Sequence, residues 1–211
     1  MPKGATGGGN EAPPKYEFAG RWKINLKGWT LVWLFAGSAI IFGVSFILGL
    51  TIRGLLRGYS EGSVNLDGWV FLIVLGVFVA HIILHEGVHG LVFLVFGGKP
   101  RFGVKMVRRF FPVAFYATAR GPFFRNQYLL VGLAPFLTLT PVFLVIGILA
   151  NADGIVFLAI MAMAMSVSGS IGDLMMAWKI RRHGRKTLYE DTENGFNWYV
   201  PSAESQTHGS S

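Results

Sequence analysis

The stretch His85-Glu86-Gly87-Val88-His89 lies within an apolar run that extends from about Trp69 to Phe96. A run of this length is sufficient for a helix that crosses a bilayer. On such a helix His85 and His89 lie one turn apart on the same face, so both imidazoles can bind one metal ion. Because ionisable side chains are costly inside a membrane and usually functional there, the run predicts a metal site. The alternative is a polar seam that joins helices through hydrogen bonds.

The composition indicates a membrane protein. Of the 211 residues, 52% are hydrophobic and only 14% are charged, which is unlike a soluble domain. The net charge of +8 comes from basic residues beside apolar runs, so anionic lipid explains it better than nucleic acid. The chain has no cysteine, which excludes disulfides and thiolate ligands. Any metal must therefore bind nitrogen and oxygen atoms.

The apolar runs predict an all-α polytopic membrane protein with four transmembrane helices in one domain, residues 29–186. Residues 1–28 and 187–211 are polar and are predicted to be flexible tails. Pro135 and Pro141 interrupt the third run, so that helix is predicted to be kinked or partly unwound. Thr138 and Thr140 could bond the carbonyls that the prolines leave free. The predicted spans are residues 29–52, 69–96, 128–150 and 155–178.

The segment between the second and third spans has a different pattern. Apolar and other residues alternate from Arg101 to Met106 and again from Val113 to Thr118, which predicts an interfacial β-hairpin. The alternative is a basic loop at the membrane surface. The apolar face of the hairpin consists of Phe102, Val104, Met106, Val113, Phe115 and Ala117.

The fourth span contains one carboxylate, Asp173, after a patch of small residues. A buried Asp needs a partner, and no Lys or Arg lies inside any predicted span. Since catalytic zinc sites keep three protein ligands and a water, Asp173 is predicted to bind zinc with His85 and His89. The alternative is a hydrogen bond to His81 or to a helix terminus. His81 is predicted to be a supporting or structural residue, because three histidines in line fit a tetrahedral ion poorly. Gly169 and Ser170 are predicted to border the site.

Charge predicts the orientation. The N-terminal flank, the Gly97–Asn126 segment and the C-terminal flank are basic, whereas the other two connections are not. The positive-inside rule then places both termini in the cytoplasm of a multi-pass plasma membrane protein. His89 and Asp173 lie at similar distances from the cytoplasmic ends of their spans, about 10 and 9 Å. Ligands of a single ion must lie at one depth.

These residues carry a family resemblance. HExxH on one span, a span with internal prolines and Ser170-Ile171-Gly172-Asp173 on the last span resemble the bacterial and archaeal membrane zincins, or zincin peptidases. Those are similar to the site-2 proteases, intramembrane zinc metalloproteases. The resemblance covers about Trp69 to Trp178. It implies zinc bound by His85, His89 and Asp173, with Glu86 as the base. In site-2 proteases the ligand Asp is usually followed by Gly, whereas here Gly172 precedes it.

The resulting hypothesis is a zinc-dependent endopeptidase whose partners are the lipid bilayer and a membrane-protein or peptide substrate. Glu86 would take the proton from a zinc-bound water. The predicted hairpin would hold an unwound substrate by strand addition, guided by its apolar residues. Two other classes fit the same motif: a membrane protein that uses zinc for structure or sensing, and a metal transporter with a path of His81, His85, His89 and Asp173. The sequence indicates no oligomeric state.

Overall fold

The computed structural model describes residues 12–23, 28–58, 68–107, 111–192 and 195–202, with the backbone alone described at 105–107, 111–114 and 120. The predicted linker between the first two spans and the ends of both tails lie largely outside these ranges. Within them, the helices are Trp29–Arg57 (α1), Gly68–Val95 (α2), Arg125–Leu149 (α3), Asp153–Gly169 (α4) and Ile171–Ile180 (α5).

Four helical segments in the described ranges are long and apolar enough to cross a membrane: α1, α2, α3 and α4 together with α5. They match the four predicted spans, although α1 continues to Arg57 rather than ending at Ile52. A break at Ser170 divides the fourth span, where the Ser170 hydroxyl donates to the Ser166 carbonyl at 2.8 Å. α3 stays helical through Pro135 and Pro141, so of the two alternatives, a kink or partial unwinding, the unwinding is wrong.

Strands also form, at Tyr16–Lys23 (β1), Lys99–Val107 (β2), Phe111–Arg120 (β3), Pro122–Phe124 (β4), Leu188–Thr192 (β5) and Gly195–Pro201 (β6). β2 and β3 pair antiparallel, with Val104 opposite Phe115, which confirms the hairpin rather than the loop. The other four strands form an antiparallel sheet in the order β1-β6-β5-β4.

This four-stranded sheet corrects two predictions. The chain is not all-α, and the segments 16–23 and 188–201 are not flexible tails where the structure describes them. Tyr16 pairs with Pro201, and Lys23 pairs with Gly195. Residues 16–23 and 195–201 form strands because each segment supplies the hydrogen-bonding partner of the other. Arg21 strengthens the pairing by donating to the Asn197 amide oxygen at 2.6 Å. The pairing also brings β1 and β6, which are far apart in the sequence, side by side.

α4 lies at the centre of the helices and packs against α1, α2 and α3. Ile160 on α4 is fully buried, and Gly49 on α1 and Gly147 on α3 both bring their backbones close to it. α1 and α2 expose many large apolar side chains on their outer faces, as helices in contact with lipid would. A second core joins the end of α2, the start of α3 and the end of α5 to the four-stranded sheet. Its central residues are Phe93, Tyr128, Ile180, Tyr189 and Phe196.

Candidate metal centre

His85, His89 and Asp173 come together where α2 meets the first turn of α5. The Asp173 Oδ2 atom lies 3.1 Å from His85 Nε2 and 3.4 Å from His89 Nε2. One ligand atom from each residue lies within 4.8 Å of the other two. Both histidines are buried. The predicted convergence of α2 and the fourth span is therefore present in the structure.

The spacing of these atoms fits zinc. Zinc binds His nitrogen at about 2.0–2.1 Å and carboxylate oxygen at about 2.0–2.2 Å, usually in tetrahedral sites. Tetrahedral geometry at those lengths puts neighbouring ligand atoms about 3.3 Å apart. The two nitrogen–oxygen distances at Asp173, 3.1 and 3.4 Å, lie on either side of this value. Two imidazoles and one carboxylate are also the donor set expected of a catalytic site with a position left for water.

α3 fixes the orientation of His89. The Nδ1 atom of His89 lies 2.9 Å from the Val131 carbonyl oxygen. A carbonyl can only accept a hydrogen bond, so Nδ1 carries the proton and donates it. Nε2 points to the side of Asp173 and would be the nitrogen that binds a metal ion.

The helix break at Ser170 positions Asp173. Because the break ends α4, a new helix begins at Ile171 and Asp173 lies in its first turn. The partial positive charge at a helix start stabilises a carboxylate there. Ser170 is fully buried and bonded to Ser166, so it shapes the backbone, whereas Gly169 borders the cavity beside Asp173.

Glu86 lies on the same cavity as the three candidate ligands. Its carboxylate faces the backbone N–H of Ala117 on β3. β3 therefore supplies one wall of the site, on the side of Glu86.

His81 does not join the cluster. Its ring centroid lies 6.2 Å from that of His85 and 5.8 Å from that of Phe143. The side chain is buried, and neither ring nitrogen has a hydrogen-bond partner among the described residues. His81 therefore extends the polar face of α2 away from the ligands.

A cavity of about 320 Å³ extends from the candidate ligands towards α1 and β3. Of the residues predicted to guide a substrate, Phe115 lines it. The Phe102 ring instead lies against the backbone of Gly90 on α2, a close approach that a larger residue at 90 would obstruct. Val104 is exposed and is not part of the lining, and the side chains of Met106 and Val113 lie outside the described residues.

The sequence analysis missed two polar residues of this cavity, Tyr128 and Asp191. The Tyr128 hydroxyl donates to the Asp191 carboxylate, which the backbone N–H groups of Ala119 and Thr192 also face. Tyr128 comes from the start of α3 and Asp191 from β5. The only sequence signal was a lone Asp in a polar segment, which does not distinguish a site residue from a solvated one.

The comparison with protein families identifies the relatives of this site. A sequence model of the family described as "Putative zincin peptidase" matches residues 78–188, more than half of the chain. The chain belongs to this family. The zincin family implies zinc, and all three candidate ligands and Glu86 lie within the matched residues, whereas Asp191 lies just beyond them. Searches of curated proteins and of solved structures gave no match.

Proposed function

We propose that this zincin-family protein is a zinc metalloendopeptidase that hydrolyses peptide bonds within or next to the membrane, in the manner of the site-2 proteases. The observation that carries the proposal is the position of Glu86 on the cavity that also contains His85, His89 and Asp173. A structural zinc site is usually closed by four protein ligands, whereas three candidate ligands cluster here among the residues that the structure describes, and the cluster opens to a cavity. His81, which a transport path would need, lies outside that cavity lining.

His85, His89 and Asp173 would hold the ion. Bound zinc supplies a water of lowered pKa and polarises the carbonyl of the peptide bond. Glu86 accepts the proton of the attacking water and then returns it to the nitrogen of the leaving amine, so the base is regenerated. Glu86 lies on the cavity wall that the β3 residues Phe115–Thr118 also line, where a substrate carbonyl can reach it.

β3 is the candidate binding strand for the substrate. Its residues Phe115–Thr118 line the cavity, and β2 pairs with only one of its edges. A peptide bond inside a helix is protected by intrahelical hydrogen bonds, so a transmembrane substrate must unwind before cleavage. Pairing with β3 would hold the unwound segment extended beside Glu86. The chain would lie in the plasma membrane with both termini in the cytoplasm, and substrate would reach the site from that side.

The test compares the wild type with Glu86→Gln. Gln is nearly isosteric with Glu but cannot accept the proton, so the variant should bind zinc as the wild type does and lose cleavage. The measurement is a proteomic comparison of membranes from cells that express either form, together with metal analysis of both purified proteins. Wild-type cleavage by Glu86→Gln would remove Glu86 from the mechanism. Zinc in both forms with no cleavage by either would favour the structural or sensing class.

A further inference from the structure

Pro135 lies inside α3, where proline is unfavourable. It has no N–H to donate to the carbonyl four residues earlier, and its ring clashes with that carbonyl and tilts it out of the helix. The residue four positions before Pro135 is Val131. The cost of an interior proline is about 3 kcal/mol, so helix stability does not explain Pro135.

The carbonyl of Val131 is the one that binds His89. It accepts the Nδ1–H of His89 at 2.9 Å, in a place where Val131 is buried from water. The threonines predicted to take the freed carbonyls do not take this one. Thr138 donates to the Ala134 carbonyl at 2.7 Å, and Thr140 donates to the Ser166 hydroxyl at 3.0 Å.

We propose that Pro135 is a positioning residue of the metal centre: it keeps the Val131 carbonyl free of the α3 ladder and available to His89. The hydrogen bond then fixes the proton of His89 on Nδ1 and directs Nε2 towards Asp173. The test of this inference by zinc affinity rests on the proposed function. Any other residue would bring an N–H that draws the Val131 carbonyl back into the α3 ladder, in line with the helix axis.

The helix contains its own control. Pro141 lies six residues further along α3, and the carbonyl that it frees belongs to Leu137. Pro135→Ala and Pro141→Ala therefore make the same chemical change in one helix, but only the first restores an N–H opposite Val131. Both alanines fit in the space of the proline and favour the helix. Pro135 is fully buried whereas Pro141 is exposed, so a merely structural role predicts a lower unfolding temperature for Pro135→Ala with its zinc affinity unchanged.

The experiment measures zinc affinity of the purified full chain by competition with a chelator. We expect Pro135→Ala to weaken zinc binding by about 10- to 100-fold, as loss of a partner to a ligating histidine does, and Pro141→Ala to stay within about twofold of the wild type. Pro135→Gly restores the same N–H and replaces Pro135→Ala if that variant does not fold. Unchanged affinity in the Pro135 variant, or equal losses at both positions, overturns the inference.

A second readout needs no metal. In zinc-free protein with ¹⁵N-labelled histidine, the solvent exchange of the His89 Nδ1–H proton reports whether the hydrogen bond to the Val131 carbonyl is present. His89→Gln assigns the signals. The proton should exchange slowly in the wild type and in Pro141→Ala, and much faster in Pro135→Ala. If the wild type binds no zinc, the proposed function fails, and these spectra alone decide the inference: equal exchange in all three proteins overturns it.

Discussion

The Tyr128 hydroxyl and the Asp191 carboxylate are hydrogen-bonded to each other on the wall of the cavity that contains the candidate metal ligands. The pair joins α3 to β5, so the four-stranded sheet is tied directly to the site. The same carboxylate faces the backbone N–H of Ala119 on β3. The C-terminal segment therefore helps to build the cavity.

Asp191 gives the first prediction, a pH dependence of stability. Burial raises the pKa of its carboxyl from the ordinary 3.8 to about 7, although the Tyr128 hydrogen bond acts in the opposite direction. The folded protein thus binds this proton more tightly than the unfolded chain. Its contribution to stability is present below about pH 4 and is lost as the pH rises through about 7.

The measurement for Asp191 is the unfolding temperature in detergent as a function of pH. We expect the advantage of the wild type over Asp191→Asn to shrink between pH 4 and pH 7, because Asn does not titrate. Glu190→Gln is the control, since Glu190 lies next to Asp191 on β5 but accepts hydrogen bonds from Asn197 and Tyr199. A wild-type advantage that grows with pH over this range would contradict the prediction.

Phe115 gives the second prediction, on substrate binding. It lines the cavity, whereas Val104, its partner across the hairpin, does not. Phe115→Ala should raise KM about 30-fold and leave zinc content unchanged, since it removes roughly 2 kcal/mol of apolar contact with the substrate. Val104→Ala should have little effect on either. Steady-state cleavage of a peptide substrate measures both, and equal changes in the two variants would refute a role for the β3 edge.

Gly49 gives the third prediction, on helix packing. A Cβ at Gly49 would lie 2.5 Å from the Met163 side chain and 2.9 Å from Ile160, whereas a Cβ at Gly43 would have no neighbour within 4 Å. Gly49→Val should therefore destabilise the protein by about 1–3 kcal/mol through overpacking between α1 and α4. Thermal unfolding of Gly49→Val and Gly43→Val in the same detergent checks this. A greater loss in Gly43→Val would mean that α1 packs through another face.

Labelling of single cysteines tests the proposed orientation. The chain has no native cysteine, and both Lys99 and Ala152 are exposed at opposite ends of the helices. With both termini in the cytoplasm, Ala152→Cys should react with an impermeant maleimide in intact cells, and Lys99→Cys only after permeabilisation. The neighbouring Gly98 is not a suitable position for the cysteine, because a Cβ there would lie 2.7 Å from the Phe123 ring. The reverse pattern would invert the topology.

The helices and the convergence of His85, His89 and Asp173 were predictable because their signals are local or chemically rare. An apolar run of bilayer length defines its own helix, and one Asp in an apolar span has few partners other than the metal of His85 and His89. The hairpin was predictable from its alternation. For the helices and the hairpin, the residues that decide the structure lie close together in the sequence.

The four-stranded sheet and Asp191 were not predictable in this way. β1 and β6 pair between opposite ends of the chain, so neither strand has its partner within any sequence window. Asp191 belongs to the site only because that sheet places β5 against α3. The role of α3 was missed for a related reason: Pro135 was interpreted as an interruption of its own helix, whereas the carbonyl that it frees binds His89 on another.

The zinc content of the purified protein is the most direct test of the central claim. Metal analysis should find about one zinc per chain in the wild type and in Glu86→Gln, because Glu86 is not a ligand. His85→Ala, His89→Ala and Asp173→Ala should each lose most of it, while His81→Ala, which changes the histidine outside the cluster, should retain it. Zinc that remains at the wild-type level in both His85→Ala and Asp173→Ala would contradict the claim.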